Sequence, residues 1–308
     1  MTGPQLPGAA GVRTFKMRRI WDHIGFQVFR RLERRVPVET LYRVLEPLAR
    51  LRAMKLRRPP VNLPSCFGPA TAPACPRHRL FLNRMLELIP DRLAEPKWLE
   101  RCQVEGLEIL TRARSAGRPA VLAFCHYGPY PLLRFWLRAK GIPAGFLVRG
   151  SAQDRAAIRR KTDGLSPFPD VPVVFCQDQL RQMNEALMAG RPLLVAVDTD
   201  MGRTIDVPLD DSWVFTMATG ALRMARHHRA ELIPATIFDE GNWRFRIMLG
   251  NPVPQEQLQS ETGFRDAGST LIRELLAQMR QHPEQVPATL PPFFKARGRS
   301  DFPPDTES

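Results

Sequence analysis

Residues 117–150 read GRPAVLAFCHYGPYPLLRFWLRAKGIPAGFLVRG, and this stretch limits the fold more than any other. Its apolar run, residues 119–125, is short and ends in a turn signal, which predicts a buried strand. His126 follows, then Tyr127-Gly128-Pro129-Tyr130-Pro131, then an apolar helical segment to Lys140. Gly141 stands where a glycine closes a helix, and residues 142–148 predict the next strand. Loops at the carboxyl ends of parallel strands are where α/β proteins place ligands and chemistry. His126, at such an end, is the first candidate for function. The plainer alternative is a histidine satisfied within the fold.

The rest of the chain repeats the alternation. Strands are predicted at 171–175, 193–197, 232–238 and 243–249. Helices are predicted at 79–89, 97–116, 154–161, 178–189, 216–228 and 265–281. Strands alternating with helices of this length imply an α/β fold, a mostly parallel central sheet flanked by helices on both faces. Residues 80–298 form this domain, residues 61–79 are a Pro-rich linker and residues 299–308 a flexible tail. No internal repeat is present.

Residues 1–60 differ in character. After a start without ordered pattern they predict amphipathic helices. One spans 15–35, with Met17, Ile20, Trp21, Ile24, Val28 and Leu32 on one stripe and basic residues over much of the rest. A second follows Pro37 to about Arg57, with a bend at Pro47. The formal net charge is +14, and residues 1–60 carry fourteen Lys/Arg against four Asp/Glu. That asymmetry points to an anionic partner, a membrane surface or nucleic acid. A basic amphipathic helix with Trp and Phe on its apolar side fits a membrane interface. The alternative is a stripe that packs on the main domain. No recognised nucleic-acid motif is present, so the expectation is no nucleic acid.

No apolar run reaches the length of a membrane span, and no secretory h-region is present, which predicts a cytoplasmic protein. The five cysteines are scattered and odd in number, which suits a reducing compartment. None is spaced for zinc, so no metal is expected.

Motif searching removes several chemistries. There is no dinucleotide fingerprint or P-loop, and no GxSxG elbow. What remains is His126, the pair Asp198 and Asp200 after strand 193–197, Arg149 and the basic N-terminus. Asp198 and Asp200 also read as loop caps. Cys125 and His126 do not form a Cys/His pair, because adjacent strand residues point to opposite faces. His227 and His228 end a helix, where a histidine often serves only as a favourable C-terminal charge.

From about Leu86 to Arg297 the chain resembles the lipid A biosynthesis lauroyl/myristoyl acyltransferases, within the lysophospholipid acyltransferase-like superfamily. GRPAVLAFCHYGPYPLL resembles that family's strand followed by His-Phe-Gly-Asn-Trp-Glu. LLVAVDTDMGRTIDVPL resembles its strand with Asp-Gln-Asp and a Gly-rich turn. MATGALRMARHHRAELIPATIF resembles its Thr-Gly helix and Pro-containing strand. RELLAQMRQHPEQ resembles its closing helix with His-Pro-Glu-Gln, here His282-Pro283-Glu284-Gln285.

The resemblance implies a glycerolipid acyltransferase-like fold and acyl transfer from an acyl-carrier-protein or acyl-CoA thioester to a hydroxyl or amine of a lipid-like acceptor. The thioester is a co-substrate, and no cofactor is implied. It makes His126 the general base, with Gly128, Tyr130, Arg149, Asp198 and Asp200 in the substrate site. Gly128 would let the backbone approach the thioester. Arg149 would meet phosphate or phosphopantetheine. Asp198 would serve structure before catalysis. The implied place is the cytoplasmic face of the inner membrane, held peripherally by the basic region on anionic lipid.

The chain departs from the family at one decisive position. The acidic residue five places after the histidine is Pro131 here, and proline cannot orient an imidazole. Losing the orienting carboxylate of a Ser–His–Asp triad costs about 10⁴ in kcat. Three readings follow: another acid takes its place, with Asp198 and Asp200 as candidates; the acceptor deprotonates easily; or activity is low or absent. The last leads to a non-catalytic relative that binds an acyl chain, an acyl carrier protein or a partner enzyme. The prolines themselves suit the first turn of a helix, where N–H groups are unpaired.

Overall fold

The computed structural model describes residues 35–54, 64–67, 82, 95–148, 174–176, 180–200, 202–259, 263–287 and 289–297. The helix expected at 15–35 lies outside them except at Arg35, and the one at 79–89 except at Leu82. The helix at 154–161 and Arg149 lie wholly outside. The chain divides into two units, residues 1–48 and 49–308.

Helix α1, Val38–Met54, follows Pro37 as the sequence predicts and contains Pro47. Leu41, Leu45 and Ala49, four residues apart, form its buried stripe. Val44, Leu48 and Leu51 form a second apolar stripe that is exposed.

The α/β unit is built on a seven-stranded sheet of order β1-β9-β8-β2-β5-β3-β4. These strands are β1 Cys102–Glu105, β2 Ala120–Phe124, β3 Gly145–Val148, β4 Val174–Cys176, β5 Leu193–Ala196, β8 Glu231–Gly241 and β9 Arg244–Leu249. Every neighbouring pair is parallel except β8 with β9. All five residues of β2 are buried, which is why its sequence is continuously apolar rather than alternating. Its two faces still separate cleanly. Val121, Ala123 and Cys125 join one core cluster with Leu222 of α6, Gly220–His228, and Leu271 of α7, Gly263–Met279. Phe124 and His126 turn to the other face, where the ring of Phe124 meets those of Phe146 and Tyr130. Cys125 and His126 thus point apart, as strand alternation requires.

Two expected helices are corrected. Residues 97–116 are not one helix: α2, Pro96–Leu99, gives way to β1 and then to α3, Leu107–Ser115. Gly106 makes the break with a φ of +77°, and its α-carbon lies so close to the Leu249 carbonyl that a Cβ would stand 2.1 Å from the oxygen. Pairing of Cys102–Glu105 with β9 overrides the helical spacing of charges. Residues 216–228 are likewise split, into β7, Trp213–Ala218, and α6. Strand β7 sits in a three-stranded antiparallel sheet between β6, Thr204–Pro208, and β10, Phe294–Ala296, which the sequence reading did not foresee. The expected helix at 178–189 is α5, Leu180–Met188.

Helix α4, Tyr130–Ala139, returns the chain after β2. It buries Leu132, Leu133, Phe135, Trp136 and Leu137, and Trp136 meets Phe245 of β9. Pro131 falls in its first turn, where a missing N–H costs no intrahelical bond.

Candidate active site

His126 stands just past the carboxyl end of β2, in the middle of the sheet. Parallel pairing of β2 with β5 sets Phe124 beside Ala196, and the Val197 N–H donates to the Phe124 carbonyl at 2.9 Å. The same register, carried two residues on, sets His126 beside Asp198. The His126 backbone N–H donates to both Asp198 oxygens, 2.9 Å to Oδ1 and 2.8 Å to Oδ2. The imidazole adds a contact of 2.9 Å between Nδ1 and Oδ1. Strand periodicity accounts for this, because Asp198 shares a face with Ala196 and His126 with Phe124.

Asp198 is buried, its side chain 1% exposed, whereas the His126 side chain is 35% exposed. The carboxylate accepts from Nδ1–H, which leaves Nε2 as the nitrogen with a free lone pair. Burial works against the imidazolium, but the hydrogen bonds and charge of Asp198 outweigh it and hold the His126 pKa above its ordinary value. Burial pushes the Asp198 carboxyl up, and the bonds from His126 pull it back. Tyr130 meets the imidazole in a T-shaped arrangement, ring centroids 4.6 Å apart and planes at 81°. Tyr130 is itself stacked on Phe124. Cys125 is buried, its thiol pushed well up by burial and then by Asp198, so it holds no reactive thiolate.

The remaining expected residues separate. Asp200 is exposed at the same strand end, while Asp198 is buried and faces His126. Gly128 has a φ of +55°, and a Cβ there would stand 2.5 Å from the Ile237 carbonyl oxygen. Packing on β8 therefore by itself requires glycine at this position.

The His282–Gln285 segment turns out to hold the turn after His126. The Tyr127 hydroxyl, on a side chain that is fully buried, donates to the His282 carbonyl at 2.8 Å. The Gly128 N–H donates to the Gln285 carbonyl at 3.3 Å. The Gln285 side chain then bonds the backbone of Asp239 twice, donating to its carbonyl and accepting from its N–H. Asp239 lies where the β8–β9 register shifts, and the amide satisfies both of its backbone polar groups. Tyr127 and Gln285 were not singled out in the sequence. The available signal was weak: a buried tyrosine needs a partner for its hydroxyl, but nothing local names that partner.

A groove lined by Glu108, Arg112, Arg118, Glu231 and Asn251 lies at the amino ends of β2 and β8, at the opposite end of the sheet from His126.

The sequence profile of the bacterial lipid A biosynthesis acyltransferases matches residues 11–286. The match starts well before Leu86 and takes in the basic N-terminal region. Among solved structures the chain is similar to the 1-acyl-sn-glycerophosphate acyltransferase of Thermotoga maritima. The two are 16% identical over 85% of this chain and 98% of that one, with a TM-score of 0.41. No curated protein matches the chain.

Proposed function

Because the chain belongs to the bacterial lipid A biosynthesis acyltransferase family, we propose that it moves a fatty acyl group from an acyl-carrier-protein or acyl-CoA thioester to a hydroxyl or amine of a lipid-like acceptor, with His126 as general base. The observation that carries the reading is a half-open imidazole at the carboxyl end of the central strand, its Nδ1 occupied at 2.9 Å. Nε2 takes the acceptor proton as the acceptor oxygen or nitrogen attacks the thioester carbonyl. The tetrahedral adduct then collapses, the C–S bond breaks, and the imidazolium returns the proton to the leaving thiolate. No redox change and no outside reactant are involved.

A membrane-borne acceptor accords with the N-terminal region. No helix among the described residues is long and apolar enough to cross a membrane. Helix α1 instead presents Val44, Leu48 and Leu51, each more than half exposed, with exposed Arg43 and Arg50 on the same helix. Apolar contact plus basic charge gives reversible binding to anionic lipid. In this reading the protein works peripherally on the cytoplasmic face of the inner membrane. Co-sedimentation should be strong with anionic vesicles, weak with zwitterionic ones, and reduced by salt.

The deciding assay is single-turnover transfer from labelled acyl-carrier-protein and acyl-CoA thioesters into a lipid extract. Transfer by wild type that disappears in His126→Ala supports the proposal. Equal transfer by both removes His126 as base. No transfer by wild type, with donor binding retained, points to the non-catalytic relative.

A further inference from the structure

Resting on the reading of His126 as base, we propose that Asp198 is the positioning residue of this site. It orients the imidazole from the neighbouring strand, in place of a carboxylate on helix α4. The helix has no acidic residue in its first turn, and Pro131 occupies the place five residues after the histidine. The carboxylate requirement itself is physical. Without an acceptor at Nδ1 the imidazole is free to take the other tautomer, and the imidazolium formed during transfer loses its counter-charge.

Asp198 meets both needs through space. Its two oxygens take the His126 backbone N–H, which fixes the carboxylate plane before the ring is considered. Oδ1 then takes Nδ1 at 2.9 Å. A carboxylate anchored to the backbone of the residue it serves loses little freedom on binding the ring. Near-complete burial of Asp198 lowers the local dielectric and strengthens the contact. Tyr130 adds a T-shaped ring contact to the imidazole. Among the described residues, the titratable groups in contact with the imidazole are Asp198 from the β5 end and Tyr130 from α4, with the Cys125 thiol turned to the other sheet face.

Position 131 is thereby released from any role in the chemistry. It can carry proline, whose fixed φ suits the first turn of α4. Asp200 does not share the role, since it is exposed at the same strand end.

The test is Asp198→Asn, an isosteric change whose amide oxygen still accepts the backbone N–H. The expected result is a fall in kcat of about 10³–10⁴ with KM within about threefold, and an acid limb of the pH–rate profile displaced to lower pH. A kcat within about threefold of wild type, alongside an inactive His126→Ala, overturns the proposal and leaves His126 as base intact. Full transfer by His126→Ala instead overturns the reading on which the proposal rests. A second measurement needs no variant: ¹⁵N chemical shifts of the His126 ring in the full chain. A protonated Nδ1 with bare Nε2 at high pH supports the assignment, and the opposite tautomer sinks it.

Discussion

Strand β2 is flanked by two buried carboxylates, one at each end, and they do different work. At its amino end Glu231, 8% exposed, pairs with Arg118 at 2.5 Å. Past its carboxyl end Asp198, 4% exposed, pairs with His126 at 2.9 Å. Both pairings satisfy a carboxylate that burial would otherwise penalise. The cations set the difference. A guanidinium stays charged at any working pH, so the Arg118 pair is static. An imidazole gains and loses its proton near neutrality, so the Asp198 pair can carry one. Surroundings widen the gap: the Arg118 side chain is half exposed, whereas the His126 side chain is more enclosed and in T-shaped contact with Tyr130. A buried acid becomes chemically useful when its partner titrates.

The largest expected effect follows at the carboxyl end. His126→Ala should lower kcat by at least about 10³. With His126 as the proposed base, only the neutral imidazole is active, so activity should rise with pH through a limb above the ordinary histidine value of 6.5. The stabilising contribution of that histidine runs the other way. It is present in full below 6.5 and is lost as pH climbs through the raised folded value, a trend visible as a pH-dependent difference in Tm between wild type and His126→Ala.

Next in size is the clamp that serves only this end. Gln285→Ala strands a buried N–H and carbonyl at Asp239, which should cost about 2–4 kcal/mol by denaturant melting and reduce kcat through the loosened turn. Unchanged melting would mean that the clamp carries no load. Gly128→Ala meets a positive φ and the Ile237 carbonyl, and should lose about 1–3 kcal/mol in the same experiment. Smallest is the amino end: Glu231→Gln should change stability by about 1 kcal/mol or less and leave kcat alone, because water reaches Arg118. A loss of activity there would erase the distinction between the two ends.

Most of the sheet was legible because strands such as β2 and β5 are short and continuously apolar. Helix α4 was legible for the same reason, with an apolar stripe that Gly141 terminates. Strand β1 was not, since Gln103 and Glu105 give it no apolar run and only pairing with β9 makes it a strand. Residues 216–218 read as the start of a helix because so short a stretch does not separate the two periods, and the antiparallel pairing of β7 with β6 and β10 decides. His126 stood out by its place at a strand end. Gly128 stood out for its backbone freedom, and its closeness to the Ile237 carbonyl is visible only in the packed structure.

The sequence by itself determined the alternation of elements, the histidine at the end of the most apolar strand, the aspartate at the end of another, and the absence of an acid at position 131. Only the tertiary structure decided that these two strand ends are neighbours. Between them in sequence lie β3 and β4, which the crossovers send outward beyond β5, so β5 lies against β2. The register that buries both sheet faces then aligns Phe124 with Ala196, and the next inward-facing pair is His126 with Asp198. Strand adjacency and register are properties of the packed sheet, and no local pattern in either strand encodes its partner.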